Sequence, residues 1–511
     1  LKILTAKQIR EADAYTIEHE PIASIDLMER AAENFFDWIM EKYEIKKGRD
    51  IQFKVFCGLG NNGGDGLAVA RKLFNKYLPK PEIYIVHYSD KYSEDFHKNE
   101  TSIHKFLLKN VHQIKSKEDI YGILKDDLVI DALFGTGLSK PVTGLAADVI
   151  NHINASGAAV ISIDMPSGLF ADVHTPAEHA VVHATKTLTF QSPKLAFLFP
   201  ENAETVGEWE VLDIGLDKKY IAKIPSTKTI ITKELVQSFL KPRKKFSHKG
   251  DYGHALLIAG GYGKMGAAVM MTKACMRMGA GLTTVHVPKH GVPIIQTAAP
   301  EAMTQADFNE KYFSDNIEPD NYSAVGIGPG IGTEEITQTA LKHLLLYEKK
   351  VPLVLDADAL NIISMNKEWL RLIPQNSILT PHPKEFERLT HKAENDFARH
   401  EMQIEFSKAH HVYVILKGAH TCITTPEGDA YFNATGNPGM AKGGSGDVLT
   451  GILTSLLAQR YSSLAASLLG VYMHGMAGDI AAEVLGIDGM IARDIINSIP
   501  KAWAKLRKER L

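Results

Sequence analysis

The chain has 511 residues, 45% of them hydrophobic and 23% charged, the make-up of a globular protein with room for two or three domains. A formal net charge of −3 gives no electrostatic basis for nucleic-acid binding, and no run reaches the roughly 18 consecutive apolar residues of a membrane span. Three scattered cysteines, Cys57, Cys275 and Cys422, have neither metal-ligand spacing nor the density of a disulfide framework.

The N-terminal stretch Leu1-Lys-Ile-Leu-Thr-Ala-Lys-Gln has no signal-peptide pattern, so a cytoplasmic enzyme is expected, with a short leader ahead of Leu1 left open. Residues 6–45 predict two helices, with apolar residues at helical spacing from Ile25 to Phe36. Short apolar strands then follow at 52–57, 82–87, 128–131, 159–164 and 186–190, with helical stretches between most of them. That alternation implies a mostly parallel sheet covered on both faces. Residues 207–215 read as a closing edge strand, and a polar seam runs over 216–230. The rhythm restarts with strands at 254–259, 282–287, 324–327, 353–356, 377–380, 412–417 and 421–424. The fold class is therefore α/β in two domains, 1–222 and 223–511. The basic tail from Lys501 to Arg510 reads as one solvated helix face.

Ligands of open α/β sheets gather at the carboxyl ends of the strands, and in the second half most of those ends carry polar or glycine-rich motifs. Asn433-Ala-Thr-Gly-Asn-Pro-Gly-Met-Ala-Lys-Gly-Gly-Ser-Gly-Asp447 leads into an apolar helix. Its glycines leave the N–H groups of the helix start free to hold phosphate oxygens. Asp447 repels phosphate but is well placed to take a proton from a hydroxyl attacking phosphorus; a helix cap is the plain alternative. Ala259-Gly-Gly-Tyr-Gly-Lys-Met-Gly-Ala-Ala268 lacks the ending of a Walker A loop. Gly326-Ile-Gly-Pro-Gly-Ile-Gly332 lets the backbone approach a ligand closely. Asp356-Ala-Asp-Ala-Leu-Asn361 offers two carboxylates that suit either Mg²⁺ through water or helix capping. His382 and Glu385 share the motif Thr380-Pro-His-Pro-Lys-Glu-Phe386, and Lys417-Gly-Ala-His-Thr421 forms a tight turn between strands.

These motifs together resemble the ribokinase-like fold, and within it the ADP- or ATP-dependent NAD(P)H-hydrate dehydratases, over nearly all of 228–505. The resemblance implies a C-terminal αβα sandwich in which Ala267, Gly330, His382 and Asp447 line the hydrate pocket. It also implies that Lys417, Gly418, Ala419, His420, Thr421 and Gly446 hold the nucleotide, with Mg²⁺ assisting and ADP as the expected donor. Asp447 would take the proton of the C6 hydroxyl during phosphoryl transfer.

In the first half, Cys57-Gly-Leu-Gly-Asn-Asn-Gly-Gly-Asp-Gly66 formally satisfies the dinucleotide fingerprint, but Asn61, Asn62 and Asp65 are too polar for a loop that only contacts pyrophosphate. Asp131-Ala-Leu-Phe-Gly-Thr-Gly-Leu-Ser-Lys-Pro141 and Asp164-Met-Pro-Ser-Gly-Leu169 end two further strands. Asn62, Asp131 and Ser167 thus offer oxygens from three strand ends, a single carboxylate among neutral donors, which suits K⁺ better than Mg²⁺ or Ca²⁺; helix capping is each residue's alternative. These motifs, with Phe190-Gln-Ser-Pro-Lys194, resemble the YjeF N-terminal family, the NAD(P)H-hydrate epimerases, over about 6–216. The resemblance implies a Rossmann-like αβα sandwich that binds the hydrate through Asn61, Asn62, Gly63, Gly64, Asp65, Gly135, Thr136, Gly137, Leu138, Ser139, Lys140, Pro141 and Asp164. It also implies K⁺ at Asn62, Asp131 and Ser167. Asp164 is the candidate for acid–base work at C6.

The two halves together predict a repair enzyme for hydrated nicotinamide cofactors, acting on NADH hydrate and NADPH hydrate with ADP, and forming a homo-oligomer. Two other readings are a vitamin or sugar kinase fused to a binding domain, and a first half that is a non-catalytic interaction module. Asn62, Asp131, Asp164 and Ser167 argue against the last.

Overall fold

The structure, a computed structural model, describes residues 1–43, 51–76, 80–104 and 109–508. Residues 44–45 of the expected second helix, and the tail residues beyond Lys508, lie outside the described residues. The chain divides into two compact units: Lys2–Ser226 with Asn395–Phe397, and Thr227–Glu394 and Ala398–Leu511 with Leu1.

The N-terminal unit carries strands β1 (Phe53–Cys57), β2 (Glu82–Val86), β3 (Val111–Ile114), β4 (Leu128–Ala132), β5 (Ala159–Ile163), β6 (Lys186–Phe190) and β7 (Glu208–Leu212). They form one parallel sheet in the order β3-β2-β1-β4-β5-β6-β7. Period-two alternation sorts their side chains to two cores. Phe53, Val55, Leu128 and Ile130 pack on one face with Leu67, Leu73 and Phe35, while Phe56 and Val129 join Val149 and Ile153 on the other. The strand order reverses between β1 and β4, which opens a crevice at their carboxyl ends. Helices Ala6–His19 and Ser24–Lys42 precede the sheet; the first is started by a Thr5–Gln8 capping box.

The C-terminal unit carries β8 (Lys228–Ile230), β9 (His254–Ile258), β10 (Leu282–Val287), β11 (Met303–Ala306), β12 (Ala324–Ile327), β13 (Leu353–Leu355), β14 (Ile378–Leu379), β15 (Tyr413–Leu416), β16 (Cys422–Thr424) and β17 (Ala430–Phe432). Its sheet runs β11-β10-β9-β12-β13-β14-β15-β16-β17-β8. Strands are parallel from β11 to β15, antiparallel through the β15–β16–β17 meander, and parallel again at β8. Ala255 and Leu257 face one core, and Leu256 and Ile258 the other. Helix Ser445–Ala458 is buried at every residue from Val448 onward, which fixes the position of the glycine-rich loop before it. The basic tail belongs to helix Ala492–Lys508, whose Ile495, Ile499 and Leu506 pack inward.

Four strands carry no predicted counterpart: β3, β8, β11 and β17. None is an apolar run of strand length. β8 and β17 have three residues each, and β11 is an edge strand exposed at most positions. The seam also holds a short helix, Lys218–Lys223, ahead of β8.

Candidate active sites

In the N-terminal unit a cavity of about 620 Å³ opens at the strand-order reversal. Asn61, Asn62, Asp65, Gly135, Thr136, Gly137, Leu138 and Asp164 line it; Gly63 and Gly64 lie behind the lining in the same turn, and Ser139, Lys140 and Pro141 are exposed beyond it. The first helix supplies a wall that sequence reasoning missed, with Ile9, Arg10, Asp13 and Ile17. Ile9, Asp13 and Ile17 recur at intervals of four, so an acid set within an apolar stripe was the available signal.

Asp131 is fully buried at the end of β4 and caps no helix. Its carboxylate accepts from Ser162 Oγ at 2.8 Å, Ser167 N at 2.8 Å, Ser167 Oγ at 2.5 Å and Leu133 N at 3.3 Å. Burial raises its pKa, against the pull of the Ser167 and Ser162 donors. Asn62 donates from Nδ2 to Ile163 O at 2.8 Å, while its buried Oδ1 has no hydrogen-bond partner. Ser167 Oγ accepts from Phe134 N at 2.8 Å, so Asn62, Asp131 and Ser167 are knit to the same strand ends.

Asp164 follows β5 with φ at +65°, a strained value for a residue with a side chain. Its Oδ1 accepts from Lys194 Nζ at 2.7 Å, Phe190 N at 3.1 Å and Thr189 Oγ1 at 3.1 Å. The Lys194 side chain is 1% exposed, and its ammonium also donates to Thr189 Oγ1, Ser192 O and Phe190 O. Burial, then Asp164, pushes the Asp13 carboxyl up to about 6 against Lys194. Asp65 is raised well above the usual carboxylate range by burial and then by Asp164, Asp13 and Asp95.

In the C-terminal unit the predicted residues converge on one rim. Gly444 has φ of +94°, and a Cβ there would lie 2.5 Å from Met270 Sδ, so glycine alone fits at the start of helix Ser445–Ala458. Asp447 sits in that helix's first turn, where unpaired N–H groups favour an anion. Burial and Asp356 push its carboxyl up to about 6; Lys417 pulls it down and Asp358 adds to the rise. Lys417 Nζ donates to Asp356 Oδ1 at 2.9 Å and lies 3.7 Å from Glu385 Oε2. Burial works against that ammonium, but Asp356 and Glu385 outweigh it and raise its pKa. Asp356 also accepts from Thr450 Oγ1 at 2.7 Å. A Cβ on Gly446 would lie 3.6 Å from Lys417 Nζ, which puts the glycine loop directly over this ion pair. Thr421 Oγ1 donates to Gly418 O at 2.9 Å and closes the turn from Lys417 through Ala419 and His420.

On the other side of the rim, a Cβ on Gly330 would lie 3.4 Å from the Ala267 Cβ, so these two predicted residues adjoin. Asp358 accepts from Gly332 N at 2.9 Å and lies 3.6 Å from Lys264 Nζ. His382 caps helix Pro383–Leu389, its Nδ1 accepting from Lys384 N at 3.1 Å and Glu385 N at 3.3 Å. That role puts the proton on Nε2, which lies 3.5 Å from Glu385 Oε1, and burial lowers the ring's pKa.

A family model described as NAD(P)H-hydrate dehydratase matches residues 255–501, and one described as YjeF-related protein N-terminus matches residues 24–196. A bifunctional NAD(P)H-hydrate repair enzyme of Moorella thermoacetica is 35% identical over 99% of this chain and 97% of its own length. Its counterpart in Escherichia coli is 32% identical over 97% of this chain and 93% of its own. Among solved structures, an ADP/ATP-dependent NAD(P)H-hydrate dehydratase of Bacillus subtilis, co-crystallised with ATP and Mg²⁺, is 32% identical, covers 55% of this chain with 99% of its own, and has a TM-score of 0.48. The chain belongs to the family of bifunctional NAD(P)H-hydrate repair enzymes.

Proposed function

We propose that the C-terminal unit dehydrates the S epimer of NADH hydrate or NADPH hydrate with ADP as phosphoryl donor, and that the N-terminal unit interconverts the R and S epimers. The observation that carries this reading is Asp447, a carboxylate poised near pH 6 in the first turn of a buried helix, over the Lys417–Asp356 pair. Asp447 takes the proton of the C6 hydroxyl, whose oxygen attacks the terminal phosphorus of ADP as the bond to the bridging oxygen breaks and AMP leaves with the bonding pair. The C6–O bond then breaks, phosphate leaves with the bonding pair, and the ring nitrogen lone pair fills the gap. Loss of a C5 proton restores the ring double bond. Glycine-loop N–H groups and Gly446 hold the phosphates, Lys417 to Thr421 hold the nucleoside side, and Ala267, Gly330 and His382 face the hydrate.

Of the two carboxylates in the Asp356–Asn361 motif, Asp356 is engaged by Lys417 and Thr450, whereas Asp358 keeps an accessible edge. Asp358 therefore fits Mg²⁺ held through water. When bound, Mg²⁺ offsets charge on the transferring phosphoryl group. In the N-terminal unit the partnerless Asn62 Oδ1, beside Asp131 and Ser167, fits a large monovalent cation such as K⁺. K⁺ there would brace the loops that bind the hydrate. The same reading makes Asn61–Asp65, Gly135–Pro141 and Asp164 the hydrate-binding set. It assigns the activities to residues 1–222 and 223–511 and makes the protein a cytoplasmic homo-oligomer, checked by light scattering. Among the described residues no helix is long and apolar enough to cross a membrane.

The test is product analysis. S hydrate, Mg²⁺ and ADP should give one free phosphate per reduced nicotinamide formed, whereas a kinase would accumulate a stable phosphorylated product. Comparison of kcat/KM for ADP and ATP tests the donor, and a clear ATP preference would overturn the choice of ADP.

A further inference from the structure

Two carboxyls facing the N-terminal cavity differ in their surroundings. Asp164 receives three donors on one oxygen, among them the ammonium of the buried Lys194. Asp13 projects from the helix wall into the same cavity, and its Oδ1 is buried without any hydrogen-bond partner. A carboxylate oxygen in that position lacks stabilisation that a carboxylic acid does not need. Arg10 and Asp65 are the other charged side chains at the cavity. Asp13 is pushed up to about 6 by burial and Asp164, near working pH, and burial also raises Asp65. Paired carboxyls in contrasting surroundings, one bonded to an ammonium and one with a partnerless oxygen, can divide the tasks of charge stabiliser and acid between them.

We propose that Asp13 is a catalytic residue of the epimerisation, the general acid at C6, with Asp164, held by Lys194, as the partner that stabilises the cationic ring. The inference rests on the epimerase reading of this unit. The Asp13 carboxyl protonates the C6 hydroxyl as the C6–O bond breaks. That bonding pair leaves on water, and the ring nitrogen lone pair forms the N1–C6 double bond. Water then adds to the opposite face, N1 recovers its pair, and the surplus proton returns to the Asp13 carboxylate through the released water. No oxidant or reductant is needed, and the acid ends as it began.

The experiment compares the full chain with its Asp13→Asn variant, following R–S interconversion by chromatography of the hydrates. The amide keeps the shape and removes the proton, so kcat should fall by about 10²–10⁴ while KM stays within about threefold. Nucleotide-dependent dehydration of pure S hydrate by the same variant should match the parent, and an N-terminal unit that melts cooperatively at the parent's midpoint shows that the substitution leaves that unit folded. Interconversion within about threefold of the parent rate would overturn the inference, and so would a change confined to KM. A parent protein that does not interconvert the epimers would instead overturn the epimerase reading itself.

Discussion

Lowering the pH from 7 to 5 should slow dehydration about tenfold, because Asp447 acts as a base and must be ionised. Its carboxyl is pushed up to about 6 by burial and Asp356. A group titrating there is about nine-tenths ionised at pH 7 and about one-tenth at pH 5. Lys417 is the cation that restrains this rise, and it sits against Gly446, next to Asp447 in the chain. At an effective dielectric near 20, a unit charge at two to three times contact distance contributes about 1.4–2 kcal/mol, or on the order of one pKa unit. Lys417→Met should therefore move the acid limb upward by about that amount, beyond any effect on nucleotide affinity. The assay is the return of reduced-nicotinamide absorbance from S hydrate at saturating nucleotide between pH 5 and 8. Titration of the nucleotide itself is common to both proteins, so the shift between them isolates the enzyme. A flat profile, or a limb that stays in place in Lys417→Met, would refute the reasoning.

Asp447→Asn should reduce dehydration by about 10²–10⁴ and leave epimerisation intact; wild-type dehydration in this variant would remove Asp447 from its role. Asp131→Ala should abolish epimerisation and spare dehydration of S hydrate. It strands donors from Ser162, Ser167 and Leu133, so the thermal midpoint should also fall, at about 1–3 kcal/mol for a buried unpaired group. An active Asp131→Ala protein indifferent to K⁺ would exclude the cation site. Fragments separated near the 222–226 seam should each fold, since each unit has its own sheet and two cores; loss of cooperative melting in either would count against independent units.

The buried strands were legible because β1, β4, β9 and β12 are short, mostly apolar runs that lead into glycine or carry aspartate near their ends, a pattern that leaves little choice of element. The edge strands were not, since Val111–Ile114 and Met303–Ala306 owe their extended state to a neighbouring backbone rather than to their own side chains. Site motifs in single loops, such as Gly443–Asp447, could be read from glycine spacing. What escaped was convergence between distant segments. Asp13 reads as one more polar residue on a surface helix until that helix is placed over the strand ends. His382 reads as a pocket residue by resemblance, and its capping of helix Pro383–Leu389, with Nε2 3.5 Å from Glu385 Oε1, needed the fold. Lys194 stands in a quoted motif, but its bond to Asp164 needed the fold.

The most direct test of the central claim gives the full-length protein an equal mixture of R and S hydrate with Mg²⁺ and ADP, and follows reduced-nicotinamide absorbance to its end point over a time in which the hydrates do not interconvert unaided. One chain with both activities should convert the whole mixture, with one phosphate released per cofactor restored. A plateau at half conversion, with the R epimer left behind, would contradict it.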